Sequence, residues 1–231
     1  MFPTLLTLGP FSLSTYGALS AAGYGAAIWW LSRRREAMGL SEDKFWSVVY
    51  WLFGGILLGA KLTYVLVERD LTLLWRDPRF GFVFYGGVAG AFVAGLIVAR
   101  REKLDFRVCG DFFGAALPLG HAIGRLGCLA AGCCYGAHTD GWWGLPMAGD
   151  PSRHPVQLYE AAANLVLFAF AARELGRRKP GTVLRGVVAA YALIRFALEF
   201  LRDDPRGAGL AGLSPSQVAA VVALLLAWRL K

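Results

Sequence analysis

Arg125 and Arg195 each interrupt a long apolar stretch, where a guanidinium is costly unless it faces a polar cavity and finds a partner there. Two such groups in one small chain point to a buried anion site, and the anion a bilayer offers most readily is a lipid phosphate. Arginine suits that ligand because its planar fork can hold phosphate oxygens bidentately. The polar residues around the two arginines fall at helical spacing. Tyr191, Arg195 and Glu199 follow one another at i, i+4, i+8 and share a helix face, which Arg202 continues. Asp111, Gly114, Pro118, His121 and Arg125 lie near one face of another segment. Gln157, Glu160 and Asn164 form a third stripe, and Lys61, Tyr64 and Glu68 a fourth. Each would be expensive against lipid, so all four are expected to face the interior of a helix bundle. Gln157, Asn164 and Asp111 are also of the type that hydrogen-bonds helices together without doing chemistry.

The elements that must position these residues are membrane spans. The chain has 231 residues, of which 56% are hydrophobic and 17% charged, with a mean hydropathy of +0.48. That composition fits an all-α polytopic membrane protein of one domain better than a soluble one. Apolar segments of roughly 20 residues place seven transmembrane helices near 12–32, 45–67, 81–99, 110–134, 156–173, 185–202 and 213–230. Gly55 with Gly59, and Gly86 with Gly90, have the small-xxx-small spacing that lets helices approach closely. The first basic residue is Arg33, so a cleavable leader of the usual kind is not expected.

Net charge is +8, but the basic residues fall in short runs between apolar segments, which argues for anionic lipid and against nucleic acid. Arg33, Arg34, Arg35 and Lys44, then Arg100, Arg101, Lys103 and Arg107, then Arg173, Arg177, Arg178, Lys179 and Arg185, and finally Arg229 and Lys231 fall on one side. Only Arg69, Arg76, Arg79, Arg153, Arg202 and Arg206 fall on the other. The positive-inside bias therefore puts the amino terminus outside and the carboxyl terminus in the cytoplasm. With that orientation Tyr16, Tyr85, Arg125, His154 and Arg195 gather in the outer half of the bilayer.

These residues stand in ordered strings: Tyr85-Gly86-Gly87, then Gly124-Arg125-Leu126-Gly127-Cys128, then His154-Pro155-Val156-Gln157-Leu158-Tyr159-Glu160, then Tyr191 through Arg195 and Glu199 to Arg202. Their content and order resemble the prolipoprotein diacylglyceryl transferase family, whose patterns are HGG, GRLGN followed by NGExWG, HPxQLYE and FRxxxEFxR. The likeness also takes in Ser14-Thr15-Tyr16-Gly17 and Gly59 to Val65, and runs from about residue 9 to the last helix. It implies a seven-helix enzyme of the bacterial inner membrane that moves diacylglycerol from phosphatidylglycerol to the lipobox cysteine of a preprolipoprotein, without a cofactor. Carried over by position, Arg125 and Arg195 handle the headgroup and the transfer. Tyr16, Gly86, Gly87, Asp111, Gly136, His154, Tyr191 and Glu199 fall at substrate-binding positions, and His154 also shapes the loop before the fifth span. A divergent lipid-dependent transferase or hydrolase with another acceptor, or a lipid-binding protein without catalysis, are the rival readings.

Three positions depart from the family pattern. Tyr85 stands for the histidine of HGG, Cys128 for the asparagine after GRLG, and Cys133 for the glutamate of NGE. Phenol is a poorer base than imidazole, with an ordinary pKa of about 10, although Tyr85 can hydrogen-bond a phosphate or a glycerol hydroxyl. His121, one turn before Arg125, is the imidazole that could take over, unless it simply packs and hydrogen-bonds. Cys128, Cys133 and Cys134 lack the C-x-x-C spacing of a metal site, so no metal is expected. A disulfide at an oxidising face, or three small apolar residues at a packed helix end, are the readings left for them.

Overall fold

Turn chemistry opens the chain before any helix does. The computed structural model describes residues 2–9, 11–76, 83–204 and 212–229. In it β1 (Thr4–Leu8) and β2 (Phe11–Ser14) pair antiparallel around Gly9, whose φ of +57° suits a tight reversal. The first helix therefore begins at Thr15 instead of residue 12. The stretch up to Ser14 is apolar enough to read as the start of a span, but its backbone groups are already spent on the hairpin.

Among the described residues seven helices of 15 or more residues follow where the seven apolar segments lie: α1 (Thr15–Ser32), α2 (Glu42–Glu68), α4 (Phe84–Arg101), α5 (Phe106–Ala131), α6 (Val156–Glu174), α7 (Thr182–Glu199) and α8 (Pro215–Arg229). A single turn, α3 (Leu73–Arg76), and a 3-10 turn (Arg35–Met38) complete the helical set among the described residues. α2 and α5 are long and apolar enough to cross a membrane, and α8 is a shorter apolar helix. Residues 81, 82 and 230 of the expected segments, and Arg79, Arg206 and Lys231 of the charge pattern, lie outside the described residues. The fold is mostly helical, with two short hairpins added among the described residues. Besides the first hairpin, β3 (Leu145–Met147) and β4 (Asp150–Arg153) form a second one between α5 and α6, turning at Ala148 and Gly149, both at positive φ.

Backbone contacts divide the chain into two units, residues 1–31 with 110–231, and residues 32–109. The smaller unit is built on α2 and α4. The glycines at small-xxx-small spacing are its interface: a Cβ on Gly55 would stand 2.6 Å from the Gly90 carbonyl oxygen, and one on Gly59 would stand 2.8 Å from the Gly90 Cα. Ser41 caps α2 by accepting from the Lys44 N–H at 3.4 Å. Within this unit Lys61 is buried beside the Tyr64 ring, but Glu68 is exposed at the end of α2, so the fourth polar stripe turns outward in its last turn. Gly90→Val forces these backbones apart and should cost about 1–3 kcal/mol, read as a lower midpoint of thermal unfolding in detergent.

In the larger unit α7 is anchored from α5. Both oxygens of Asp111 accept backbone N–H groups at the start of α7, from Gly181 at 2.8 Å and Leu184 at 2.7 Å. A remote carboxylate thus satisfies donors that a helix leaves orphaned, at the end where negative charge is favoured. Three residues on, Gly114 makes room for Leu184, since a Cβ there would stand 2.7 Å from Leu184 Cδ1. At its other end α7 runs towards α8, whose start is a capping box: Ser214 Oγ accepts from the Gln217 N–H and Gln217 Oε1 accepts from the Ser214 N–H. In the lobe between α5 and α6, His138 contacts Asp150 at 3.0 Å and Asp140 at 3.3 Å. These carboxylates, Asp150 first, raise the His138 pKa above its usual value. Their contribution is therefore present at mildly acidic pH and fades as pH rises through that raised value.

Candidate active site

Three helices of the larger unit each deliver one part of a buried polar cluster. α5 contributes His121 and Arg125, α6 contributes Glu160, and α7 contributes Tyr191 and Arg195. Glu160 has no solvent exposure and sits at the centre. Its Oε2 lies 2.5 Å from Arg125 Nη2 and its Oε1 lies 3.0 Å from His121 Nε2. The Tyr191 hydroxyl donates to the same Oε1 at 3.4 Å, and its ring meets the His121 ring edge-on at 5.4 Å between centroids. Glu160 can be held there because the α6 backbone is itself tied down. Asn164 Nδ2 donates to the Glu160 carbonyl at 2.8 Å, and Gln157 Nε2 donates to the Cys133 carbonyl at 2.7 Å.

The second guanidinium has its own carboxylate. Arg195 Nη2 lies 2.7 Å from Glu199 Oε2, one helical turn on, and donates to Ser216 Oγ at 3.1 Å. Ser214 Oγ donates to the other Glu199 oxygen at 2.7 Å, so the start of α8 fixes this pair from outside α7. Arg202 closes the row, 4.0 Å from Glu199 and bound by both its Nε and Nη2 to Asp204.

Both guanidiniums are 8% exposed, and Glu160 and Tyr191 each lie within electrostatic reach of both. Neither arginine is fully occupied. Arg125 Nε and Arg195 Nη1 are buried with no hydrogen-bond partner among the described residues. A buried charged donor left unpaired is costly, and the cluster holds two of them within reach of one carboxylate–tyrosine pair. Each carboxylate engages only part of its arginine's fork, leaving one buried N–H of each uncommitted.

The other expected site residues are placed as follows. Tyr16, half exposed on the first turn of α1, lies against Gly127, where a Cβ would come within 3.2 Å of the Tyr16 Cα. Gly136 is wedged between two strands of chain: its N–H donates to the His154 carbonyl at 3.0 Å, it bridges to Arg202, and a Cβ would stand 2.7 Å from the Leu201 oxygen. His154 shapes this turn through its backbone, while its Nδ1 pairs with the Tyr159 hydroxyl at 3.2 Å. Asp111 is spent on capping α7. Tyr85, Gly86 and Gly87 belong to the smaller unit, on the first turn of α4. There Tyr85 is 52% exposed, while Gly86 and Gly87 are buried, Gly86 against Gly59 and Thr63 and Gly87 against Ile56 and Ala60.

Sequence reasoning left Glu160 in a stripe of structural polar residues and did not foresee Ser214 and Ser216. The capping-box pattern Ser214-Pro215-Ser216-Gln217 was the available signal for where α8 starts, though not for its contact with Glu199. Cys128, Cys133 and Cys134 lie at the end of α5 and just after it, and none is in a disulfide. α5 ends at Gly132, φ +71°, with the Gly132 N–H bonded to Leu129 O at 3.0 Å and the Cys133 N–H to Cys128 O at 3.1 Å. This is the Schellman pattern, which brings the residue three before the cap against the second one after it. Those two are Cys128 and Cys133. Cys134, itself at φ +65°, turns its thiol to the same point, and the three sulfur atoms lie within 4.8 Å of one another. All are free thiols, with Cys128 buried and Cys133 exposed, and Arg125 Nη1 lies 3.8 Å from Cys128 Sγ.

Comparison with known proteins bears on what this cluster serves. A family model described as prolipoprotein diacylglyceryl transferase matches residues 3–230. A phosphatidylglycerol–prolipoprotein diacylglyceryl transferase of Geobacter sulfurreducens is 34% identical over 226 residues, covering 90% of this chain and 85% of the relative. Proteins of the same name from Pseudoalteromonas atlantica and Clostridium tetani are 33% and 31% identical. The first covers 90% of this chain and 78% of the relative, the second 98% and 95%.

Proposed function

Because the chain belongs to the prolipoprotein diacylglyceryl transferase family, we propose that it is a membrane transferase moving the diacylglyceryl group of phosphatidylglycerol onto the lipobox cysteine thiol of a preprolipoprotein. The observation that carries this reading at the level of atoms is the pair of buried guanidiniums, Arg125 and Arg195, each with an unpartnered N–H and both within electrostatic reach of Glu160 and Tyr191. The reaction fits that arrangement. The acceptor thiol gives up its proton to solvent, its sulfur attacks the glycerol carbon that bears phosphate, a C–S bond forms, the C–O bond breaks, and its electron pair leaves on glycerol phosphate. Negative charge concentrates on the departing phosphate, so donors already aimed at it favour the transition state over the bound lipid. Glu160 and Glu199 hold the guanidiniums in place, so little reorganisation is needed when the charge develops.

The seven long helices span the inner membrane of a bacterium, with the amino terminus outside and the carboxyl terminus in the cytoplasm. Support comes from the concentration of Arg and Lys on alternate connections. In that orientation the arginines lie in the outer half of the bilayer, where phosphatidylglycerol of the outer leaflet and an exported peptide can meet. Tyr16, Tyr191, Gly136 and His154 of the larger unit then shape the headgroup pocket, and His121 is held by Glu160 within the cluster.

The test is direct. Purified protein given phosphatidylglycerol and a lipobox peptide should yield a thioether-linked diacylglyceryl peptide and glycerol phosphate in equal amounts by mass spectrometry. Glycerol phosphate without modified peptide would identify a hydrolase instead. Lipid binding without any turnover would identify a binding protein.

A further inference from the structure

Cys128, Cys133 and Cys134 make a convergence of three sulfurs that neither the arginine site nor the family pattern accounts for. We propose that they bind one zinc ion as a three-thiolate site whose open fourth position takes the acceptor thiol. This deepens the transferase reading and rests on it for the identity of the fourth ligand.

Geometry supports the metal over a disulfide. Sulfurs bound to zinc at about 2.3 Å in a tetrahedron stand roughly 3.8 Å apart, and here three already lie within 4.8 Å of one another. Closing on an ion requires each to move by less than about an ångström. A disulfide would instead join two sulfurs and leave the third without a role. The backbone is committed to this convergence at two positions, Gly132 in the helix-ending turn and Cys134 at φ +65°, a region non-glycine residues seldom adopt. Gln157 then fixes the loop through the Cys133 carbonyl.

Charge supports it as well. Three thiolates and a fourth from the acceptor around a divalent ion carry a net charge of about −2. Arg125 lies 3.8 Å from Cys128 Sγ, and Arg202 lies beside Cys134, so two guanidiniums stand ready to balance that charge. The described residues add no histidine or carboxylate to the group. Three protein ligands with one position open is the arrangement of a catalytic zinc, whereas a structural zinc is closed by four. Cys133 is exposed, so the open position can be reached.

The chemistry would supply the activation that an acceptor thiol, mostly protonated at neutral pH, requires. A thiol that coordinates zinc is deprotonated outright. The acceptor S–H loses its proton to solvent as sulfur binds the metal. The sulfur lone pair then attacks the glycerol carbon, and the C–O electron pair departs on the phosphate held by the arginines. Arg125 touches both halves, the thiolate cluster and the anion site, which sets nucleophile and leaving group on either side of one residue.

The full-length protein in detergent, reduced and freed of metal, should bind one equivalent of cobalt(II) with a sulfur-to-metal charge-transfer band, and zinc should displace it. X-ray absorption of the zinc form should show three sulfurs at about 2.3 Å, rising to four with a lipobox peptide but not with its Ser-for-Cys analogue. Cys133→Ser, at an exposed position, should bind cobalt at least tenfold more weakly while keeping the wild-type thermal midpoint. Chelation should slow thioether formation about a hundredfold, and zinc should restore it. No stoichiometric binding by the reduced protein, unchanged binding in a Cys128→Ser/Cys133→Ser variant, or full turnover without metal would each overturn the zinc site and leave the transferase reading intact. A zinc site that never gains the fourth sulfur would overturn the acceptor role. A fourth sulfur without lipid transfer would uphold the site and sink the transferase reading.

Discussion

Arg125→Lys and Arg195→Lys should each lower the rate of glycerol phosphate release by about 10²–10³-fold, the scale of losing one transition-state donor, although both keep their positive charge. The reason is the fork. At each site one edge of the guanidinium is already committed, Arg125 to Glu160 and Arg195 to Glu199 and Ser216, while another buried N–H points elsewhere. Lysine offers a single ammonium that cannot hold its carboxylate and reach a phosphate along a second, fixed direction. Alanine should be worse at both positions, because the carboxylate is then left buried without its countercharge. The discriminating measurement is kcat at saturating phosphatidylglycerol in protein shown to be folded by its unfolding midpoint. Lysine variants that turn over at close to the wild-type rate would mean that the arginines contribute charge alone, and the anion site would have to be redrawn.

Glu160→Ala should cost about 3–5 kcal/mol of stability, the usual consequence of removing one partner of a buried ion pair. Glu160 is wholly buried, its carboxylate serves Arg125, His121 and Tyr191, and its loss leaves Arg125 inside the protein without a counter-ion. That defect has a distinctive remedy. An anionic headgroup in the pocket supplies the missing charge, so phosphatidylglycerol should raise the unfolding midpoint of the variant by more than it raises that of the wild type. Phosphatidylcholine, which carries no net charge, should not. Thermal unfolding in detergent with each lipid reads the difference, and equal shifts for wild type and variant would show that Arg125 does not face the lipid.

The helical spacing of Tyr191, Arg195 and Glu199 was enough to place them on one face and to anticipate the Arg195–Glu199 pair, because i, i+4 neighbours on a helix need no tertiary information. The pairing of Arg125 with Glu160 was not legible in that way. A polar stripe tells which face is buried but not which residue of the facing helix it meets, and Glu160 lay between Gln157 and Asn164, which hold backbone. Asp111 illustrates the same gap in reverse: its stripe also carries Arg125, yet its carboxylate ends on the first turn of α7. The cysteines escaped because motif spacing assumes a particular loop, whereas here a helix-terminating turn brings together residues five apart. The first hairpin escaped because short apolar runs do not distinguish strand from helix.

The capping of α7 by Asp111 has a mechanical consequence. α5 and α7 are pinned to each other at Asp111, Gly181 and Leu184, and again at the far end, where the Ala137 N–H donates to the Leu201 carbonyl at 2.9 Å and Gly136 bridges to Arg202. Arg125 and Arg195 sit between these two fastenings, about 21 Å and about 16 Å from the first at 1.5 Å per residue. A beam clamped at both ends bows much less than one clamped at one end. The carboxylate of a residue remote from the chemistry thus serves as one of two clamps that keep the guanidiniums from drifting apart.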